Sequence, residues 1–126
     1  MYKNKISVVL IIFSLLTCSF FFYDCAKPYE GPAFTITHYG KETWASCKKL
    51  DAVLEDMKKI YKDKMTINYI DLDDENSSIE ADKKYNIQGY PFVVLFNDKN
   101  EQVDTFVGYK DKKELTDLLK KDGLID

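Results

Sequence analysis

The sequence predicts one α/β domain, and three observations lead to that prediction. The chain has 126 residues, of which 45% are hydrophobic, so it is long enough for one domain with a core and too short for two. Strand-like and helix-like patterns alternate from Phe34 to Lys121. The unbroken apolar run Phe92–Phe96 is typical of a strand covered on both faces. The expected order is strand, helix, strand, helix, strand, strand, helix.

The first strand and the first helix are predicted from the spacing of apolar side chains. Phe34–Tyr39 alternates apolar and polar residues, many of them β-branched or aromatic, which favours a strand. After a turn at Gly40–Glu42, we expect a helix from Thr43, whose hydroxyl can cap the first turn, to about Tyr61. Helical spacing predicts its inward face, which comprises Cys47, Leu50, Val53, Leu54, Met57, Ile60 and Tyr61.

The later elements are predicted in the same way. Met65–Leu72 reads as a strand and Ser77–Tyr85 as a more weakly patterned helix. Phe92–Phe96 belongs in the middle of the sheet, and a polar turn separates it from a returning strand, Gln102–Val107. The last helix, Asp111–Lys121, closes the domain.

The N-terminus carries a membrane or export signal. Lys3 and Lys5 precede an uncharged, mostly apolar run from Ile6 to Tyr23. As a helix this run would extend about 27 Å, close to the thickness of a hydrocarbon core of about 30 Å. We expect an uncleaved signal anchor that leaves the rest of the chain outside the cytoplasm. The alternative is a signal peptide that is cut near Thr17-Cys18-Ser19, after which the domain would be secreted. The residues that end at Cys18 resemble a bacterial lipoprotein box only loosely.

This organisation divides the chain into three parts. Residues 1–26 are predicted as the signal anchor or signal peptide, residues 27–32 as a tether rich in proline and glycine, and residues 33–126 as the domain. The three cysteines fall one in the apolar run, one just beyond it and one in the domain, which is not the dense spacing of a disulfide framework.

Charge and motif content exclude several classes of function. A net charge of -3 and mixed lysines and acids provide no basic field, so no nucleic-acid partner is expected. No phosphate loop, paired metal cysteines or serine triad is present, and we predict neither a cofactor nor a metal. The acidic run Asp71–Glu75 is interpreted as a solvated loop at a strand end.

The most informative motif is the run Thr43-Trp44-Ala45-Ser46-Cys47-Lys48-Lys49-Leu50, followed about forty residues later by Gly89-Tyr90-Pro91. In a Cys-x-x-Cys motif at a helix start, the first sulfur attacks a disulfide and the second resolves the mixed disulfide. Here Cys47 holds the second position and Trp44 the first. The segment from Ala33 to Lys121 resembles the minimal thioredoxin fold, a central mixed sheet flanked by helices.

The resemblance implies roles for individual residues. It implies a cis Pro91 beside the active-site sulfur, with the backbone of Tyr90 free to pair with an extended substrate, and a simple turn is the alternative. His38 stands where the family often places a buried acid that takes a proton from the resolving thiol, although a hydrogen-bonded core histidine fits equally well. Tyr69 stands where thioredoxins often carry a lysine. Reading Trp44 as the tryptophan that often precedes the first cysteine would require a gap downstream.

The expected function is that of an extracytoplasmic thioredoxin-like protein of the thiol–disulfide oxidoreductase family, with impaired or single-cysteine chemistry at Cys47 assisted by His38. Its partners would be protein thiols and disulfides, with the membrane bound through residues 6–23. The alternative is a non-catalytic binding or chaperone-like module that holds an extended polypeptide at Trp44, Tyr90 and Pro91. A third interpretation makes the cysteine a buried core thiol in a structural domain.

Overall fold

The computed structural model describes residues 27–126. The predicted signal anchor, its cleavage alternative, Cys18 and Cys25 lie outside the described residues. Among residues 27–126, no helix is both long enough and apolar enough to cross a bilayer.

Four strands form one mixed sheet. They are β1 (Phe34–Gly40), β2 (Met65–Asp71), β3 (Phe92–Phe96) and β4 (Gln102–Val107), and they lie side by side in the order β2-β1-β3-β4. β1 is parallel to β2 and antiparallel to β3, and β3 is antiparallel to β4. The mixed sheet and the central place of β3 are therefore confirmed.

Three α-helices flank the sheet: α1 (Ala45–Tyr61), α2 (Glu75–Tyr85) and α3 (Lys112–Lys121). A short 3-10 turn, Lys62–Lys64, joins α1 to β2. α2 begins two residues earlier than the sequence predicts. It does so because the carboxylate of Asp74 accepts a hydrogen bond from the Ser77 amide and so caps the helix.

The predicted N-cap of α1 is wrong. The N-cap residue is Trp44, with extended backbone angles, and no side chain caps the first turn. Thr43 lies one residue too early, so its hydroxyl does not serve the first helical amides. The first turn also contains no acidic residue. The first helical hydrogen bond is donated by the Lys48 amide to the Trp44 carbonyl at 3.1 Å.

The main core lies between one face of the sheet and the helices α1 and α3. Side chains alternate along a strand, so Phe34, Ile36 and His38 point to this face while Tyr39 points to the other. The core also includes Leu50, Leu54, Met57, Tyr61, Met65, Val93, Leu95, Phe106, Leu115 and Leu119. On the opposite face, the ring of Tyr39 lies 5.6 Å from the ring of Tyr85 in α2.

One residue of the predicted inward face of α1 is on the surface. Ile60 is 45% exposed, whereas Cys47, Leu50, Leu54, Met57 and Tyr61 are buried. At about 100° per residue, Ile60 lies about 100° from the centre of the buried stripe, which takes it past the edge of the sheet-facing side. Val53 is half-buried at the margin of the same stripe.

Candidate functional site

The site lies where β1 ends and α1 begins. The first turn of α1 directs Cys47 toward the sheet, where it is 0% exposed, and leaves Trp44 at the surface with 37% of its area exposed. Among the described residues Cys47 is the only cysteine, and it forms no disulfide with them. The two positions of the altered Cys-x-x-Cys motif thus present an exposed indole and a buried thiol.

The indole of Trp44 packs against Tyr90. Their ring centroids are 4.8 Å apart at an interplanar angle of 58°, and the Lys41 ammonium lies 5.5 Å from the centre of the Trp44 ring. Packing of this kind between aromatic rings is favourable beyond the area it buries. We call Trp44 and Tyr90 the aromatic pair.

The aromatic pair adjoins Pro91. The Tyr90–Pro91 peptide bond is cis, and Pro91 is buried at the start of β3. The carbonyl of Pro91 accepts a hydrogen bond of 2.8 Å from the Gly108 amide, whereas the backbone of Tyr90 makes no hydrogen bond to any described residue. The structure therefore brings Trp44, Tyr90 and Pro91 together, with an unpaired backbone segment beside them.

His38 and Cys47 meet beneath this surface. A Cβ atom added to Gly40 would lie 2.7 Å from His38 Nε2 and 2.8 Å from Cys47 Sγ, so both atoms border the same small space. His38 is 0% exposed, and its Nε2 has no hydrogen-bond partner among the described residues. Because Gly40 has no side chain, the imidazole and the thiol can both occupy this end of β1.

Asp51 completes the site and was not singled out in the sequence. Its Oδ1 lies 2.7 Å from His38 Nδ1, and its side chain is 42% exposed. Asp51 follows Cys47 by four residues, a spacing that places both on one side of a helix and that could have identified it. Burial lowers the pKa of His38, and the charge and hydrogen bond of Asp51 oppose that shift only in part.

Tyr69 borders the histidine from the neighbouring strand. It pairs with His38 across β1 and β2, and the two rings meet edge to face at 5.3 Å. Partial burial of the phenol, followed by the negative charges of Asp51 and Asp71, raises the pKa of Tyr69 to about 12. Where a lysine would bring a positive charge, this chain therefore has a neutral phenol.

An open groove runs beside Asp51. It has a volume of about 430 Å³ and is lined by Glu42, Asp51, Leu54, Glu55, Ile67 and Tyr69. Asp51, which lines this groove, has a partly exposed side chain. Its rim is acidic and its floor is apolar.

The acidic loop after β2 serves local structure. The Asp71 carboxylate accepts a hydrogen bond from the Asp73 amide, Asp73 pairs with Lys41 at 3.0 Å, and Asp74 caps α2. Within residues 27–126, no group of three or more His, Cys, Asp or Glu side chains is arranged to hold a metal ion.

Comparison with known proteins identifies the family. Fold and site together define a thioredoxin-fold protein with a single cysteine at its helix start, and the family model described as Thioredoxin matches residues 34–121. Thioredoxin of Staphylococcus aureus is 36% identical over 80 residues, which cover 63% of this chain and 73% of that protein. The chain belongs to the thioredoxin family of thiol–disulfide oxidoreductases, which act on protein thiols and disulfides.

Solved structures share the fold. A mutant thioredoxin from Halobacterium salinarum NRC-1 superposes with a TM-score of 0.59 at 24% identity, covering 75% of this chain and 77% of that one. A thioredoxin-2, described as a component of malaria parasite protein secretion machinery, gives a TM-score of 0.60 at 16% identity over 71% of this chain and 84% of its own. The predicted α/β fold of thioredoxin type is thereby confirmed for the described domain.

Proposed function

We propose that this chain is an extracytoplasmic thioredoxin-family protein whose redox chemistry is limited to one sulfur, that of Cys47. The observation that carries the proposal is the replacement of the first motif sulfur by Trp44, which packs on Tyr90 at the mouth of the site. The buried thiol of Cys47 keeps the position of the resolving cysteine at the helix start.

A single sulfur supports half of the exchange reaction. The Cys47 thiolate attacks one sulfur of a client disulfide, a bond forms between these two sulfurs, and the client S–S bond breaks. The displaced client sulfur leaves as a thiolate and takes up a proton. An outside thiol must then attack the mixed disulfide, because no neighbouring cysteine is present in the described domain.

Loss of the first sulfur lowers turnover more than any change in the reactivity of the Cys47 sulfur could restore. A well-oriented neighbouring group can act with an effective molarity of about 10⁵ M or more, far above any free thiol concentration. Cys47 is also fully buried, so a disulfide reaches it only when the surface around Trp44 opens. We therefore expect slow mixed-disulfide formation and little catalytic turnover.

Peptide mapping of the full-length chain by mass spectrometry, which assigns adducts to individual cysteines, tests this proposal. After incubation with glutathione disulfide, Cys47 is expected to hold a mixed disulfide that persists until a thiol is added. In the Trp44→Cys variant the introduced sulfur should displace glutathione and close a disulfide with Cys47. Trp44→Ser, which opens the same surface without adding a sulfur, is the matched control and should retain glutathione. A native Cys47 that never forms the adduct would overturn the proposal.

A second candidate function is the binding of an extended polypeptide without chemistry. The aromatic pair favours it, because exposed tryptophan and tyrosine side chains are common anchors in binding sites. The unpaired backbone of Tyr90 can add hydrogen bonds to a strand-like segment.

Fluorescence measures this binding directly, since Trp44 is the only tryptophan. Extended peptides should change its emission, and Tyr90→Ala should weaken the affinity by about tenfold. Ile60 is an exposed apolar side chain at the other end of α1, so Ile60→Ala is the control and should leave the affinity unchanged. Equal affinities for both variants would exclude the aromatic pair as the binding site.

The location of the domain is proposed from the sequence. The apolar run of residues 6–23 and the lysines before it favour a membrane anchor with the domain outside the cytoplasm. In the native host, the full-length chain should stay with membranes after an alkaline wash, and external protease should reach the domain. A shortened, soluble chain outside the cell would show that the segment is cleaved.

A further inference from the structure

A buried polar atom without a partner points to a proton acceptor at the thiol. His38 Nε2 is enclosed by protein and unpaired among the described residues, which costs free energy of folding and calls for an explanation such as a catalytic role. Cys47 Sγ lies across the same space at Gly40. The unpaired nitrogen and the Cys47 thiol therefore border the same space without a hydrogen bond between them, and Cys47 is a nearby group whose proton this nitrogen can take.

Asp51 determines which nitrogen of the ring is free. A carboxylate only accepts hydrogen bonds, so the 2.7 Å contact requires His38 Nδ1 to carry the proton and donate it to Asp51 Oδ1. In the neutral ring Nε2 then holds the lone pair. A histidine with the opposite tautomer would present an N–H to the thiol and could not accept its proton.

We propose that Asp51 is a positioning residue that holds His38 in the tautomer whose Nε2 takes the proton of Cys47. The inference rests on the proposed single-sulfur chemistry. The proton moves from Cys47 Sγ to His38 Nε2, and the ring becomes an imidazolium beside the Asp51 carboxylate. After the attack on a disulfide, the departing sulfur receives that proton, so the imidazole returns to its neutral form.

The groups around His38 agree with this sequence of steps. Cys47 and Asp51 face it from α1, Tyr69 faces it from β2, and Val93, its partner on β3, carries no charge. Glu42 adds negative charge on the side of Tyr69. No cation contacts the ring among the described residues. Burial, the larger effect, opposes a proton on His38, and the charge and hydrogen bond of Asp51 favour it.

The decisive experiment reads the tautomer of one ring in the reduced, full-length chain. His38 is the only histidine, so ¹⁵N-labelled protein gives one imidazole pattern. In the native protein Nδ1 should be protonated and Nε2 unprotonated. Asp51→Ala should lose this fixed pattern. Asp51→Asn should keep it, because the amide oxygen still accepts the Nδ1 hydrogen bond.

The rate at which a small alkylating reagent modifies the Cys47 peptide provides the second readout. Asp51→Ala should react more slowly than the native chain at neutral pH, because the ring no longer holds Nε2 unprotonated and ready to take the thiol proton. Asp51→Asn should recover part of that loss. Glu55→Ala, one turn further along α1 on the same groove, is the control for lost charge and should match the native protein.

The two proposals fail in different ways. A proton found on Nε2 in the native protein, or an Asp51→Ala variant with unchanged tautomer and unchanged alkylation, would overturn the role of Asp51. Both measurements are made without a disulfide substrate. A failure of Cys47 to form the glutathione adduct would instead overturn the single-sulfur function.

Discussion

At the scale of single residues, the site depends on Gly40 for space. A methyl group at this position would press on His38 Nε2 and Cys47 Sγ, each closer than 3 Å, and both side chains are fully buried. We expect Gly40→Ala to lower the free energy of unfolding by about 1–3 kcal/mol, the usual cost of overpacking. Urea denaturation followed by circular dichroism measures this change.

Gly89→Ala is the matched control for that prediction. Its added methyl would meet only the tip of Val107, a side chain that is 51% exposed and can move aside. A smaller loss of stability than in Gly40→Ala is expected. Equal losses in the two variants would show that the space between His38 and Cys47 is not the cause.

The buried histidine also makes stability depend on pH. The pKa of His38 is lowered in the folded chain, so below about pH 6.5 the unfolded chain binds a proton that the folded chain does not. The free energy of unfolding should therefore fall between pH 7.5 and pH 5.5. His38→Gln should show a flatter dependence in urea titrations at both pH values, and the same slope in native and variant would contradict the assignment.

At the scale of elements, the ends of the helices are stabilised to different degrees. α3 has a complete capping box, in which Asp111 accepts from the Glu114 amide and Glu114 accepts from the Asp111 amide. α1 begins at Trp44 without any side-chain cap. The turn that carries Cys47 is therefore held by packing and backbone bonds alone.

Removal of the α3 cap should cost measurable stability. Asp111→Ala is expected to lower the free energy of unfolding by about 1 kcal/mol, because α3 places Leu115 and Leu119 in the main core. Asp117→Ala on the same helix removes only a surface ion pair with Lys113 and should cost less than about 0.5 kcal/mol. Thermal denaturation measures the stability of both variants. A larger loss from Asp117→Ala than from Asp111→Ala would show that the cap does not stabilise α3 as described.

At the scale of the whole molecule, local patterns predicted the fold well. β3 and β4 have the predicted limits because an apolar run and a polar turn leave few alternatives. Motif spacing predicted that Trp44 and Cys47 occupy the first and second positions of the Cys-x-x-Cys motif. The sequence did not predict the N-cap of α1, because a cap depends on the backbone geometry of a single residue. It did not predict the exposure of Ile60, because the edge of the buried face of α1 depends on the sheet beneath it.

The contacts that define the chemistry were beyond local patterns. His38 and Asp51 are thirteen residues apart and meet only when α1 packs on the sheet. Trp44 and Tyr90 come from separate loops that the fold brings to one end. Such long-range pairs require the tertiary structure, although the spacing of Asp51 from Cys47 was a signal available in the sequence.

In the proposed function, Trp44 replaces the sulfur needed for turnover. Reduction of insulin disulfides by the full-length chain, with dithiothreitol as the outside thiol, tests it most directly when native protein and Trp44→Cys are compared, with Trp44→Ser as control. We expect rates near the uncatalysed background for the native chain and Trp44→Ser, and a rate well above background for Trp44→Cys. A native chain as fast as Trp44→Cys would contradict it and would show that Cys47 has a resolving thiol elsewhere.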